Sequence, residues 1–326
     1  MLLDTIIDTA LDRTLIGYSK VGYAVRGLAW DDNDPPRDAL AGRVAVVTGA
    51  RAGLGKATVI GLARLGATVR MAVRSRGPAE DAREEVLHAV PGAEIVIDEC
   101  DISSLASVRA YAKQLNDAGP LHVLIHNAGV MPEEREVTDD GFEITFATHV
   151  LGPHLLTTEL LPALRAGAPS RVIWVSSGGM YAQRLPSDDL QSEQGEYKGV
   201  NAYARTKRMQ VVLAAQWAQR LRDDGIVVHS VHPGWAGTGG VAESLPTFNK
   251  VMGPLLRSAE EGADTTVWLA AAAEPGRTTG RFWHDRAQRP VHYLGQNKER
   301  AEEREALWDA AERMTGANAA AKAAAG

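Results

Sequence analysis

The sequence is poor in features that would mark many protein classes. One cysteine, Cys100, among 326 residues excludes an intramolecular disulfide and fits a reducing compartment. The nine histidines show no His-x-x-x-His or comparable ligand spacing, so no metal site is expected. No run of about 18 apolar residues occurs, which leaves no candidate for a spanning helix. The start, Met1-Leu2-Leu3-Asp4, has neither a basic n-region nor a small-residue cleavage site, and no secretory leader is expected. Net charge is −6, from 35 basic and 41 acidic residues, which argues against nucleic acid or an anionic membrane as the main partner. With 45% hydrophobic and 23% charged residues, the composition is that of a soluble globular protein, and a cytoplasmic location is expected.

The pattern divides the chain into an extension (1–40), a main domain (41–295) and a tail (296–326). In the extension, Leu3, Ile6, Ile7, Ala10, Leu11, Leu15 and Ile16 recur at helical spacing. Such a helix would lie against the domain or a partner subunit; Tyr18, Tyr23 and Trp30 also suit peripheral membrane contact through residues 1–30. Asp31–Pro36 is a polar break. Apolar runs at 43–48, 68–73, 94–99, 122–126, 171–176, 226–231 and 280–283 read as strands. Helical segments alternate with them, at about 56–65, 78–88, 104–116, 140–165, 201–223 and 263–273. This alternation predicts an α/β fold, a single doubly wound parallel β-sheet with helices on both faces. The Gly/Pro-rich stretch 232–262 is a candidate lid. Beyond about Glu303 the tail reads as helix and then as an Ala-rich frayed end.

Two stretches carry chemistry. Tyr203 and Lys207 are four residues apart, so on a helix both side chains leave the same face. A free phenol is a poor acid or base near neutrality, with a pKa of about 10. A neighbouring ammonium favours the phenolate and draws that value toward working pH. The second stretch, Thr48-Gly49-Ala50-Arg51-Ala52-Gly53-Leu54-Gly55, lies between a predicted strand and a predicted helix. Glycines there permit a tight turn and bring backbone N–H groups up to a pyrophosphate at the helix N-terminus, the Rossmann-type arrangement. Strand two ends in Arg74, with no carboxylate to accept from a ribose 2′-OH. Arg74, helped by Arg51, would instead attract a 2′-phosphate, so NADP(H) is favoured over NAD(H). Asp101, after strand three, is placed to accept from the adenine amino group.

Taken together, Thr48–Gly55, Asp101, His126-Asn127-Ala128-Gly129, Ser177, Tyr203–Lys207 and Pro233-Gly234 with Thr238 occur in the order seen in short-chain dehydrogenases/reductases. The resemblance covers about residues 41–295. Val175–Met180, Asp189–Glu193, Lys207–Leu213 and His232–Ala236 most resemble the dehydrogenase/reductase member 12 type. The resemblance implies hydride transfer between a nicotinamide cofactor and a carbonyl or alcohol. Tyr203 would be the acid/base, Lys207 would tune it and hold the nicotinamide ribose, and Ser177 would position the substrate oxygen, with Ser176 as rival. Gly49, Arg51, Gly53, Leu54, Gly55, Arg74, Asp101 and Ile102 would face the cofactor. So would Asn127, Ala128, Gly129, Tyr203, Lys207, Pro233, Gly234 and Thr238. It also implies a homo-oligomer.

Two positions depart from the family pattern. His126 replaces the first asparagine of Asn-Asn-Ala-Gly, and His149 stands where the family carries a catalytic asparagine. That asparagine's main-chain carbonyl is thought to hold a water in a relay to the lysine. Pro153, four residues on, has no N–H, so the His149 carbonyl lacks its helical partner whatever the side chain. On this account Pro153 keeps the carbonyl free, while His149 is tolerated or shuttles protons itself. The alternative is a dinucleotide-binding sensor or scaffold with weak or no catalysis. A nucleotide-sugar epimerase or dehydratase is disfavoured by the Gly-x-x-x-Gly-x-Gly spacing and the lack of a large C-terminal substrate domain. Met180, Tyr181, Trp235, Leu245, Phe248, Val251 and Met252 suggest apolar substrate walls, suited to a lipid-, retinoid- or steroid-like carbonyl.

Overall fold

The β-branched run Val44–Thr48 forms β1, the hub of one eight-stranded sheet. The computed structural model describes residues 8, 11–12, 14–237, 252–293 and 295–317. Strands β2 (Thr68–Val73), β3 (Ile95–Glu99), β4 (Val123–His126), β5 (Ser170–Val175), β6 (Ile226–Val231), β7 (Arg281–His284) and β8 (Ala287–Arg289) complete the sheet. Their order is β3-β2-β1-β4-β5-β6-β7-β8, parallel except for the antiparallel β7–β8 pair. The chain reverses its winding between β1 and β4, and ligands in such sheets bind outside the strand C-termini at that crevice. Strand β8 was not anticipated from the sequence. It is three residues long and follows Asp285 and Arg286, both at positive φ (50° and 54°), so no apolar run announces it.

Helices cover both faces, as the alternation requires. Helices α1 (Lys20–Gly27), α2 (Gly53–Arg64), α3 (Gly77–Ala89) and α4 (Leu105–Ala118) lie in the N-terminal half. On one face Leu155, Trp174, Leu213 and Trp217 belong to one buried cluster; on the other, Val59, Leu62, Val86 and Trp268 belong to a second. The helix expected over 140–165 is broken into pieces: α5 (Ile144–Phe146), a π turn (Ala147–Leu151), α6 (Gly152–Glu159) and α7 (Leu161–Ala166). Pro153 cannot donate to an α-helical ladder, and the Gly152 N–H bonds Ala147 O across the wider turn. Helix α8 (Gly199–Arg220) carries Tyr203 and Lys207. Helix α9 (Ala259–Ala271) begins at a capping box between Ser258 and Glu261; α10 (Ala273–Gly276) and α11 (Ala301–Thr315) follow.

The extension lies against the C-terminal half of its own chain. Ser19 caps α1, accepting from Val21 N at 3.2 Å. The Arg257 guanidinium donates to Gly17 O at 3.0 Å and Ser19 O at 3.2 Å. Asp285 accepts from Arg26 at 2.7 Å and Arg257 at 2.5 Å; against burial, His284 and then these guanidiniums hold its carboxyl well below the usual range. On the outer side Ile16, Val21, Val25 and Leu28 are exposed, Leu28 by 88%.

Candidate active site

The glycine loop between β1 and α2 is shaped by contacts only glycine tolerates. Gly49 and Gly53 have φ of 64° and 54°, where a side chain is strained. A Cβ on Gly49 would lie 2.8 Å from Ala128 Cα, and one on Gly55 would lie 2.6 Å from Asn127 Nδ2. The Thr48 hydroxyl accepts from Asn127 N and Ala128 N, each at 3.0 Å, and Asn127 Nδ2 donates to Thr48 O at 2.9 Å. The turns after β1 and β4 are thus knotted together. Helix α2 has Ala52 as its N-cap, with no side chain bonded to its first N–H groups. That leaves a shallow backbone cradle at a positive helix end, which fits a pyrophosphate.

Two cations near the ends of β1 and β2 are unengaged. Arg74, at the end of β2, and Arg51 are exposed, and among the described residues neither makes a hydrogen bond or ion pair. Arg76, by contrast, is tied to Glu80 at 3.4 Å and to Ile97 O at 3.3 Å. Asp101 Oδ1 accepts from Ser103 N at 2.9 Å and from Ser103 Oγ at 2.7 Å. Ile102 is buried against Gly152, and Leu54 packs on Gly262.

Beyond the ends of β5 and β6 stand the polar side chains. Ser176 is buried and its hydroxyl donates to Lys207 O at 2.8 Å, so it is spent on the backbone. Ser177 begins a 3₁₀ turn and accepts from Gly179 N at 3.3 Å. Burial raises the Tyr203 pKa, and the neighbouring Ser177 hydroxyl partly offsets it. Burial also lowers Lys207 from 10.5 to about 7. The Lys207 Nζ lies 5.3 Å from the Tyr203 ring centroid and donates to Val175 O at 2.8 Å and Gln210 Oε1 at 3.1 Å. Burial, and not Lys207, sets the direction of the tyrosine shift here. Desolvation biases both groups toward their neutral forms.

His149 is fully buried on the π turn, edge-on to the Tyr203 ring at 5.4 Å. Its Nε2 accepts from Val130 N at 3.1 Å, so Nδ1 carries the proton and donates to Thr206 Oγ1 at 2.8 Å. Thr206 donates in turn to Tyr203 O at 2.9 Å. Burial, and secondarily Lys207, hold the ring well below its ordinary pKa. With both nitrogens engaged and the neutral form favoured, proton shuttling through this imidazole has no support. A Cβ on Gly129 would meet Nε2 at 3.0 Å, so Gly129 makes room for the ring. The His149 carbonyl, facing a residue that lacks an N–H at Pro153, accepts from Gln210 Nε2 at 3.0 Å. His126 is buried against Trp174, donating to or accepting from Thr157 Oγ1 at 2.8 Å.

Pro233 and Gly234 follow β6 on the same sheet edge. Gly234 has φ 79° and a Cβ there would collide with the Arg257 guanidinium. Thr238, Leu245, Phe248 and Val251 lie outside the described residues. Of the expected substrate walls, Met180 is buried against Val211 and Phe282 and points into the core, whereas Tyr181 is anchored to Pro290 O at 2.8 Å.

Sequence reasoning missed Gln210, the Thr48 knot and Tyr18. The Tyr18 ring packs against His232, Trp235 and His284 at 5.0–5.8 Å, and Trp235 N donates to Tyr18 O at 2.8 Å. Gln210 carried a signal, three residues after Lys207 on the same helix face; Tyr18 carried none. Among the described residues no group of three His, Cys, Asp or Glu could hold a metal, and no helix is long and apolar enough to cross a membrane.

Comparison with known proteins covers the same part of the chain. The sequence profile of the short chain dehydrogenase family matches residues 43–247. Human dehydrogenase/reductase SDR family member 12 is 44% identical over 255 residues, 77% of this chain and 79% of that protein. Human retinol dehydrogenase 14 is 35% identical over 296 residues, 84% of this chain and 87% of its own. Among solved structures, an uncharacterized protein from Mycobacterium Paratuberculosis superposes with a TM-score of 0.69 at 30% identity, over 88% of this chain and 97% of that one. The RhlG/NADP active-site complex of Pseudomonas aeruginosa superposes with a TM-score of 0.62 at 25% identity, over 76% and 96%.

Proposed function

The chain belongs to the short-chain dehydrogenase family, and on that premise we propose that it is an NADP(H)-dependent oxidoreductase interconverting a carbonyl and an alcohol. The observation that carries this reading is Tyr203 and Lys207 together on one face of α8, Nζ 5.3 Å from the phenol ring centroid, on the sheet edge that bears Ser177 and the glycine cradle. The cradle of Gly49, Gly53, Leu54 and Gly55 would hold the pyrophosphate, and the free Arg74 and Arg51 would favour a 2′-phosphate. Bound there, the nicotinamide would supply or accept the hydride.

In the reductive direction Tyr203 gives its phenolic proton to the substrate oxygen. Ser177 donates to the same oxygen and fixes its distance from the phenol. Lys207, once protonated, stabilises the phenolate left behind, which makes its ammonium matter more after proton transfer than before it. Asn127, Ala128 and Gly129 form the floor of the cofactor crevice, with Pro233 and Gly234 at its far wall. The reading of a cofactor-binding sensor rested on His149. Its ring, fully hydrogen-bonded beside Thr206, leaves Tyr203 and Ser177 unobstructed and favours the catalytic reading.

The retinol dehydrogenase relatives support an apolar alcohol or aldehyde as substrate. The outward stripe of Ile16, Val21, Val25 and Leu28 supports peripheral contact with lipid, and co-sedimentation with neutral vesicles that persists in Leu28→Glu would count against it. The test of the main reading is paired titration with NADPH and NADH, followed by turnover on a panel of apolar aldehydes. NADPH at least tenfold tighter than NADH, about 1.4 kcal/mol, and turnover lost in Tyr203→Phe are expected. Equal affinities would sink the cofactor assignment, and undiminished turnover in Tyr203→Phe would sink the mechanism.

A further inference from the structure

Resting on the catalytic reading above, the geometry points to Gln210 as a positioning residue for Lys207. One amide spans the gap between the π turn and the lysine: Nε2 donates to His149 O at 3.0 Å, and Oε1 accepts from Lys207 Nζ at 3.1 Å. Gln210, His149 and Lys207 are all buried, Gln210 and His149 completely. An amide has a donor end and an acceptor end, so it fits a carbonyl on one side and an ammonium on the other without rotating. A water in that place would have to be bound and oriented; the side chain is already covalently placed.

Three features of the sequence converge on the bridge. Pro153 has no N–H to give the His149 carbonyl, and the π turn carries that carbonyl toward α8. Lys207 and Gln210 are three residues apart on α8, so their side chains meet. Ser176 clamps Lys207 O at 2.8 Å, which fixes the backbone from which the lysine extends. Held between Gln210 Oε1 and Val175 O, the amino group keeps one direction for its remaining donor. The titratable groups facing it are Tyr203, on the same helix, and His149, on the π turn. Burial favours the neutral form of both, so no nearby charge does what Gln210 does.

The bridge makes Lys207 acidity depend on Gln210. Gln210→Leu removes an acceptor for the ammonium and lowers the lysine pKa; Gln210→Glu places a carboxylate there and raises it. Lysine Nζ titration by NMR in the cofactor-free chain should therefore move by about one pH unit in opposite directions in the two variants. The pH limb of kcat should follow with the same signs, kcat in Gln210→Leu falling about tenfold with KM within about twofold. Gln210→Asn, whose shorter amide cannot span both partners, should behave like Gln210→Leu. Lowered thermal stability in all three variants with an unmoved Lys207 titration would overturn the proposal. The NMR measurement needs no turnover, so it judges the bridge even if the chain proves inactive on every carbonyl, an outcome that would overturn only the catalytic reading.

Discussion

Replacing Lys207 with methionine should remove part of the pH dependence of folding stability. Burial lowers the Lys207 pKa from 10.5 to about 7. Between those values the unfolded chain binds the lysine proton and the folded chain does not, so stability rises with pH across that window. Below pH 7 the folded state carries the whole burden of a buried ammonium; above about 10.5 it carries none. At about 1.4 kcal/mol per pH unit, the fall from 10.5 to about 7 sets a ceiling near 5 kcal/mol. Methionine matches the stem of lysine but leaves Val175 O and Gln210 Oε1 without their donor, a loss of about 1–3 kcal/mol for each buried acceptor. That loss is independent of pH. The difference between wild type and Lys207→Met should therefore climb by about 3 kcal/mol in favour of wild type from pH 7 to 9.5. Urea unfolding of the cofactor-free proteins at several pH values measures it. Cys100 and the histidines other than His149 titrate alike in both proteins and cancel in the difference. His149, held well below its ordinary pKa, stays neutral across that range. A difference flat across that range would refute the argument, because Lys207 would then titrate alike in both states.

Other perturbations separate the cradle from the proton chemistry. Gly55→Ala should abolish dinucleotide binding in a fluorescence titration while the fold, read by circular dichroism, survives. Arg74→Glu should reverse the preference between NADPH and NADH, weakening NADPH about 10- to 100-fold for loss of one charge-assisted contact of about 1.5–3 kcal/mol; unaltered NADPH affinity would remove Arg74 from the site. Pro153→Ala restores an N–H that competes with Gln210 for the His149 carbonyl, so it should cost more turnover than His149→Asn in parallel steady-state assays; the opposite order would assign the role to the ring.

The parts legible in the sequence were those set by local rules. Gly49 and Gly53 stand where φ is positive, and Gly55 where backbone and Asn127 crowd in, so the loop announced itself by composition. Strand runs such as Val44–Thr48 were continuous because both faces are buried. Tyr203 and Lys207 were legible because α8 itself sets their spacing. Gln210 was legible only on its lysine side, because its other partner, His149 O, lies 61 residues away and only the π turn brings them together. The break in the 140–165 helix was half legible: Pro153 marked it, but the wider turn before it has no composition of its own. Met180 misled for a simpler reason, since an apolar residue in a loop looks the same whether it faces a cleft or the core.

The lock between the chain's two ends also sets an order of assembly. Arg26 and Asp285 are 259 residues apart, and Arg257 holds both Gly17 and Asp285. On a ribosome adding roughly 5–20 residues per second, the extension emerges well before the acid that will anchor it has been made. During that interval Arg26 has no Asp285 to meet, and the seat for Tyr18 beside His232 and His284 does not yet exist. The loop after β6, with Pro233 and Gly234, is therefore closed from outside by the oldest part of the chain. Completion of this pocket is an event of late synthesis, and an obstacle tethered to the N-terminus would be felt there first.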